Sequence, residues 1–159
     1  MTHTTALEPA AAPNQPFAMD PAAKRTFVQQ LFSRIAPRYD WFNRLASLGL
    51  DQRWRRQAVA LGGIAPGQRV LDLCAGTGDL ALLCARRLQG RGTVLGLDMN
   101  REMLLRARDK QCRRRLDVTW VLADAETLPL PDDTFDRVVI GFSTRNLGDL
   151  TAGLREMLR

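Results

Sequence analysis

Val70-Leu-Asp-Leu-Cys-Ala-Gly-Thr-Gly-Asp-Leu80 reads as a strand, a glycine turn and the start of a helix. Residues 69–74 (RVLDLC) are a short, nearly continuous apolar run, and residues 79–89 recur at helical spacing. Between them Gly76 and Gly78 can adopt positive φ and let the backbone approach a ligand closely. The helix that follows offers free N–H groups to an anionic group. Outward from this stretch the alternation continues, with a run at 93–98 (TVLGLD), a helix at 100–112 and a third run at 117–122 (DVTWVL). A fourth run at 135–142 (FDRVVIGF) and a helix at 149–158 complete it. Continuous apolar strands alternating with helices predict an α/β, Rossmann-like parallel sheet with helices on both faces.

Upstream, Phe27, Val28, Leu31, Phe32 and Ile35 mark a helix that begins at Pro21 and is interrupted at Pro37. A second segment runs from Trp41 to Leu50, with Gly49 as its terminator, and a third spans 51–61 before Gly62-Gly63. Residues 1–20, rich in Ala, Pro and Thr, read as a disordered tail. The chain therefore divides into a tail (1–20), a helical lid or substrate segment (21–63) and a sheet domain (64–159).

With 159 residues there is room for one domain with a core and not for two. No stretch approaches the roughly eighteen apolar residues of a membrane span. The first 23 residues hold no Lys or Arg, so the basic start of a secretory or organellar signal is missing and a cytoplasmic location is expected. Cys74, Cys84 and Cys112 lack metal-ligand spacing, and the one histidine is His3, so neither a metal site nor a histidine base is expected. The net charge of +6 is mostly arginine, clustered at 53, 55 and 56, at 86 and 87, and at 113–115. These clusters sit in separate segments without interleaved aromatics, which argues for solvated helix faces and ends over nucleic acid. Attraction to an anionic membrane surface is the alternative.

The turn itself leaves its ligand open. Gly76-Thr-Gly78-Asp-Leu-Ala81 fits a dinucleotide fingerprint, and Asp98, at the end of the second strand, suits the ribose hydroxyls of NAD or of S-adenosylmethionine. Asp72 separates them. A carboxylate just before the glycines suits the cationic amino acid end and sulfonium of S-adenosylmethionine and would repel a pyrophosphate. After the third strand, Asp124 can accept from an adenine amino group while Ala125 lets the backbone come near the ring.

These residues resemble the motifs of class I methyltransferases, and more closely the ubiquinone/menaquinone biosynthesis C-methyltransferases. The resemblance runs from about Phe27 to the last residue. Tyr39-Asp-Trp-Phe-Asn43, Ser47-Leu-Gly49 and Trp54 resemble that family's N-terminal signature, with Phe42 in place of a Met and Asp51 in place of a His. Asp124-Ala-Glu126, Leu128-Pro129, Phe135-Asp136 and Arg145-Asn146 resemble its later motifs, while Gly141 and Ser143-Thr144 depart from them.

The resemblance implies methylation of a polyprenyl quinol ring carbon, with Thr77, Asp98, Asp124 and Ala125 contacting S-adenosylmethionine. It implies that Tyr39, Arg145 and Asn146 face the quinol, Arg145 stabilising the ionised ring oxygen. Two plainer readings stand beside these roles: Tyr39 and Asn43 pin the helical segment, and Arg145-Asn146 forms a strand-end turn. Methylation of another small molecule, or a non-catalytic cofactor-binding module, are the alternative functions. Phe27, Phe32, Trp41 and Phe42 either line an apolar route for a prenyl tail near the inner face of the membrane or pack in the core. Family members continue past Arg159 into three further strands. The expectation is then a marginally stable, poorly active chain with an open apolar edge at 135–142, being either a fragment or covered there by a dimer or a partner.

Overall fold

The computed structural model describes residues 20–159, so the tail expected over 1–20 lies, Asp20 apart, outside the described residues. Strands β1 (Arg69–Leu73), β2 (Thr93–Asp98), β3 (Thr119–Leu122) and β4 (Arg137–Ile140) form one sheet in the order β3-β2-β1-β4. Every pairing is parallel. Helix α4 (Asp79–Leu88) carries the chain from β1 to β2, α5 (Arg101–Arg114) carries it from β2 to β3, and α6 (Leu150–Leu158) follows β4. The chain steps outward from β1 through β2 to β3, then returns to the other side of β1 for β4. That reversal makes the carboxyl ends of β1 and β4 a topological switch point, where open α/β sheets form a crevice.

Alternation along β1 divides the core. Val70 packs with Leu80, Ala81, Leu82 and Val94 on one face, whereas Leu71 and Leu73 pack with Leu97, Ala125 and Leu147 on the other. Burying side chains of this size stabilises the fold by about 1.5–3 kcal/mol each. Asp72 shares the face of Val70 and so lies beneath α4, where its Oδ2 accepts from the Ala81 N–H at 2.8 Å. Helix α4 has no side-chain cap of its own, and this strand carboxylate takes that place. Asn100 and Asp149 cap α5 and α6 in the ordinary way.

Strand ends are shorter than expected for local reasons. Cys74 and Phe142 both adopt positive φ, +55° and +62°, which stops β1 and β4. Asp136, expected inside the fourth strand, spends its side chain on the Arg69 N–H at 2.6 Å.

The N-terminal helices are α1 (Pro21–Ile35), α2 (Tyr39–Ala46) and α3 (Leu50–Leu61). Pro37 sits in the 3-10 turn Ala36–Arg38 that ends α1, as its missing N–H dictates. Helix α2 buries none of its residues, and Phe27, Trp41 and Phe42 are exposed, so core packing does not describe them. Phe32 is half-buried and meets Tyr39 edge to face, with ring centroids 5.7 Å apart. Most of the arginine clusters face solvent as expected, with Arg55 and Arg114 the exceptions. No described helix is long and apolar enough to cross a membrane.

Candidate active site

A cleft enclosing about 920 Å³, part of it open to solvent, lies over the carboxyl ends of the strands. Its lining includes Asp72 within β1, Gly76 and Thr77 after it, Asp98 at the end of β2, Asp124 and Ala125 after β3, and Asn146 after β4, with Tyr39 from α2. Two of the expected residues are placed elsewhere. Arg145, in the 3-10 turn Thr144–Asn146, is exposed and outside the cleft lining. Gly78 also lies outside it, and a Cβ there would stand 2.5 Å from the Trp120 ring and 2.9 Å from the Ala107 methyl. Its missing side chain makes room for packing between α4 and the β3 tryptophan. Gly76, at φ +55°, has nothing within 4 Å of where a Cβ would be, so this glycine alone keeps the turn open toward the cleft.

The three acidic residues are held by different means. Burial raises the Asp72 pKa to about 7, with the Ala81 N–H opposing, Asp98 and Asp79 adding to the rise, and Arg55 countering it. Asp98 is likewise raised by burial, although it accepts from the Asn100 N–H at 2.8 Å and the Gly76 N–H at 2.7 Å. Those bonds fix both the glycine turn and the start of α5. Asp124 accepts from the Glu126 N–H at 2.9 Å and pairs with Arg25 of α1 at 3.5 Å. Arg25 also reaches Glu126 at 3.0 Å, and Lys24 donates to the Leu147 carbonyl at 2.6 Å. At its other end α1 receives the Asn100 side chain, whose Nδ2 donates to the Gln29 carbonyl and to Ser33 Oγ. Helix α1 therefore spans the cleft from the end of β2 to the loops after β3 and β4.

Beneath the turn lies a charge network that sequence reasoning missed. Lys110 of α5 is buried and stands 2.8 Å from both Asp79 and Asp40 and 3.0 Å from Thr77 Oγ1. Thr77 donates in turn to Asp40 at 2.5 Å. Gln52 of α3 bridges Asp51 and Asp79, donating to each at 2.9 Å. Burial opposes ionisation of Asp79, but Lys110, Gln52 and Arg55 outweigh it and hold that carboxyl below its usual range. The network ties α2 and α3 to the turn, and it engages the Thr77 hydroxyl with protein partners. One signal was available: of 23 basic residues only Lys24 and Lys110 are lysine, and both hold specific partners. Replacing Lys110 with Met leaves Asp79 and Asp40 without their shared cation and is expected to destabilise the fold by about 3–5 kcal/mol. A urea midpoint unchanged from wild type would refute it.

Burial raises the thiols of Cys74 and Cys84 to about 12, so both stay protonated near neutrality. Among the described residues no cluster of His, Cys, Asp or Glu could hold a metal ion.

The model of the ubiE/COQ5 methyltransferase family matches residues 20–159. The chain belongs to that family. The "Ubiquinone/menaquinone biosynthesis C-methyltransferase UbiE" of Geobacter sulfurreducens is 46% identical over 83% of this chain and 52% of its own length. The "Demethylmenaquinone methyltransferase" of Thermus thermophilus is 49% identical over 81% of this chain and 58% of its own. A solved SAM-dependent methyltransferase from Aquifex aeolicus superimposes with a TM-score of 0.61 at 25% identity, over 66% of this chain and 56% of that one. The parallel sheet expected from the glycine turn and its flanking strands is the class I methyltransferase fold that the resemblance implied. The chain spans about half the length of the curated relatives it matches.

Proposed function

We propose that the cleft binds S-adenosylmethionine and that the protein to which this chain belongs methylates a ring carbon of a polyprenyl quinol. The observation that carries the first part is the placement of three carboxylates, Asp72, Asp98 and Asp124, around the open turn at Gly76. Those groups suit, in order, a cationic amino acid end, a ribose and an adenine amino group, and Ala125 leaves the ring face free. Family membership and the quinone named in the relatives' descriptions support the second part. When bound, S-adenosylmethionine supplies an electrophilic methyl group.

The chain's own residues have three tasks in this reading. Helix α1, bridging the cleft through Arg25 and Asn100, limits access of water. Tyr39 and Asn146 line the cleft and orient the acceptor ring. An ionised ring oxygen makes the acceptor carbon nucleophilic, and a protein cation stabilises that charge. Arg145 serves there only if its exposed turn moves toward the cleft. The exposed Trp41, Phe42, Leu45 and Leu48, next to Arg38 and Arg44, form a face suited to an anionic membrane surface, where the prenyl tail resides. Sedimentation with anionic but not neutral vesicles, lost in a Trp41→Ser/Phe42→Ser variant, is the expected result.

The test of cofactor binding follows from Asp72. S-adenosylmethionine carries a sulfonium charge that S-adenosylhomocysteine lacks, and Asp72 is mostly neutral below about pH 7 and ionised above it. The preference for S-adenosylmethionine over S-adenosylhomocysteine should therefore rise about tenfold between pH 6 and pH 8. Asp72→Asn should flatten that rise. Calorimetry showing no binding of either ligand by the wild-type chain would sink the reading. Stability runs the opposite way. The folded carboxyl holds its proton more tightly than the unfolded one, which titrates near 4. Its contribution is therefore full below about pH 4 and lost as pH rises through about 7.

A further inference from the structure

Arg55 lies in the middle of the arginine run of α3, on what the sequence presents as a solvated face. Its side chain is only 10% exposed, and it lines the cleft. Nη1 donates to Asp51 at 2.7 Å. That is the one hydrogen bond Arg55 makes among the described residues, so Nε and Nη2 have no acceptor among them. An arginine carries five N–H donors, and a nearly buried one ordinarily places most of them.

The guanidinium carbon sits 4.9 Å from the centroid of the Phe142 ring, and Trp54 packs against the same ring at 6.1 Å. Phe142 is held at φ +62°, an uncommon conformation for a bulky residue, which turns its ring out of line with β4 toward these partners. Phe142 and Trp54, both exposed and neither lining the cleft itself, thus form an aromatic shelf just outside it on the β4 side, with Arg55 between shelf and cleft. Arg25, the other cation lining the cleft, pairs through Nη1 and Nη2 with Asp124 and Glu126 at the β3 side, while its buried Nε has no hydrogen-bond partner among the described residues. Asp51 faces Arg55 directly, and Asp72 and Asp79 act on it from β1 and α4 at longer range.

We propose that Arg55 is the oxyanion-binding residue of the acceptor site, its free guanidinium edge taking the ionised oxygen of an aromatic alcohol whose ring lies along Phe142 and Trp54. This deepens the methyltransferase reading and rests on it for the identity of the acceptor. The arrangement explains why a cation is retained beside a shelf of aromatic surface. A phenolate offers the guanidinium a charged acceptor and the shelf a ring, whereas a neutral ether offers only the ring. The carboxylate of the cofactor's amino acid end is the other anion that could reach the cleft, and the test separates the two.

The probes are 4-nitro-1-naphtholate and its methyl ether, titrated with and without S-adenosylhomocysteine. The wild-type chain should prefer the naphtholate by at least tenfold. Arg55→Gln should bring the two probes to near parity with S-adenosylhomocysteine affinity within about twofold of wild type, and Arg55→Lys should recover part of the preference. Arg55→Gln that keeps the full preference overturns the proposal. So does loss of S-adenosylhomocysteine affinity with the preference intact, which would give Arg55 to the cofactor carboxylate. Should Arg55→Gln lose both, the wild-type Arg55 Nε–H resonance, identified by its loss in Arg55→Lys, decides. It must shift on adding naphtholate and not ether, and no shift overturns the proposal. A wild-type chain that prefers the naphtholate yet never binds S-adenosylhomocysteine sinks the cofactor reading alone. One that binds S-adenosylhomocysteine with no preference between probes sinks the Arg55 assignment alone.

Discussion

Asp98→Ala is expected to weaken S-adenosylhomocysteine binding by more than a hundredfold, the largest binding loss of any single change in the cleft. Asp98 accepts from the Gly76 N–H on one oxygen and from the Asn100 N–H on the other, at 2.7 and 2.8 Å. Each oxygen keeps a lone pair for a ribose hydroxyl. Alanine removes the ligand contacts and, in the same step, releases the turn and the cap residue of α5. Hydrogen bonds to a charged group are worth about 1.5–3 kcal/mol each, so losing two or more of them costs upward of about 3 kcal/mol. Asp98→Asn should fall between, since its amide nitrogen cannot accept from one of the two N–H groups. Calorimetry measures the affinity, and amide exchange at Gly76 reports whether the turn has loosened. An alanine variant that binds within tenfold of wild type would show that the ribose is held elsewhere.

Gly78→Ala should produce a large loss of stability. At φ +77° an alanine pays about 1–2 kcal/mol in backbone strain, and its methyl would stand 2.5 Å from the Trp120 ring. Trp120 cannot retreat freely, because its Nε1 donates to Gln111 at 2.5 Å. Overpacking of this kind adds about 1–3 kcal/mol, for a total near 2–5 kcal/mol. For a chain of this size that lowers the melting temperature by roughly 5–15 °C. Trimming the ring with Trp120→Phe should relieve part of the clash, so the double variant should lose less than the two single changes summed. Gly76→Ala makes the contrast. With open space at that position it should cost only the backbone strain in stability, while its methyl intrudes on the cleft and weakens ligand binding. Two glycines one residue apart would then separate, one serving the fold and the other the ligand. Equal melting temperatures for Gly76→Ala and Gly78→Ala would contradict this.

Much of the architecture was legible in the sequence. Apolar runs of six to eight residues, three of the four followed by helical spacing, are local patterns, and chain order makes them a parallel sheet. Strand ends were read a residue or two too long where a positive φ or a diverted side chain, as at Phe142 and Asp136, breaks the pattern without changing hydropathy. The carboxylates at Asp72, Asp98 and Asp124 were legible because each lies near the carboxyl end of an apolar strand, and those ends share one edge of the sheet. Helix-borne charges were not. Arg53, Arg55 and Arg56 look alike along the chain, yet only Arg55 turns into the cleft. Beyond its being one of two lysines among 23 basic residues, Lys110 gave no local sign of burial, because a polar residue on a helix has the same pattern whether it meets water or an aspartate from another element.

The sequence by itself therefore determined the alternating α/β fold, the family and the placing of acidic residues around the glycine turn. The fold and the placing of the acidic residues follow from short-range periodicity and chain order, whereas the family rests on the resemblance of particular motifs. Only the tertiary structure decided which glycine faces the ligand, which basic side chains are buried and which arginine lines the cleft. Those outcomes depend on how α1 packs on α5 and α3 on α4, contacts between residues far apart in the chain.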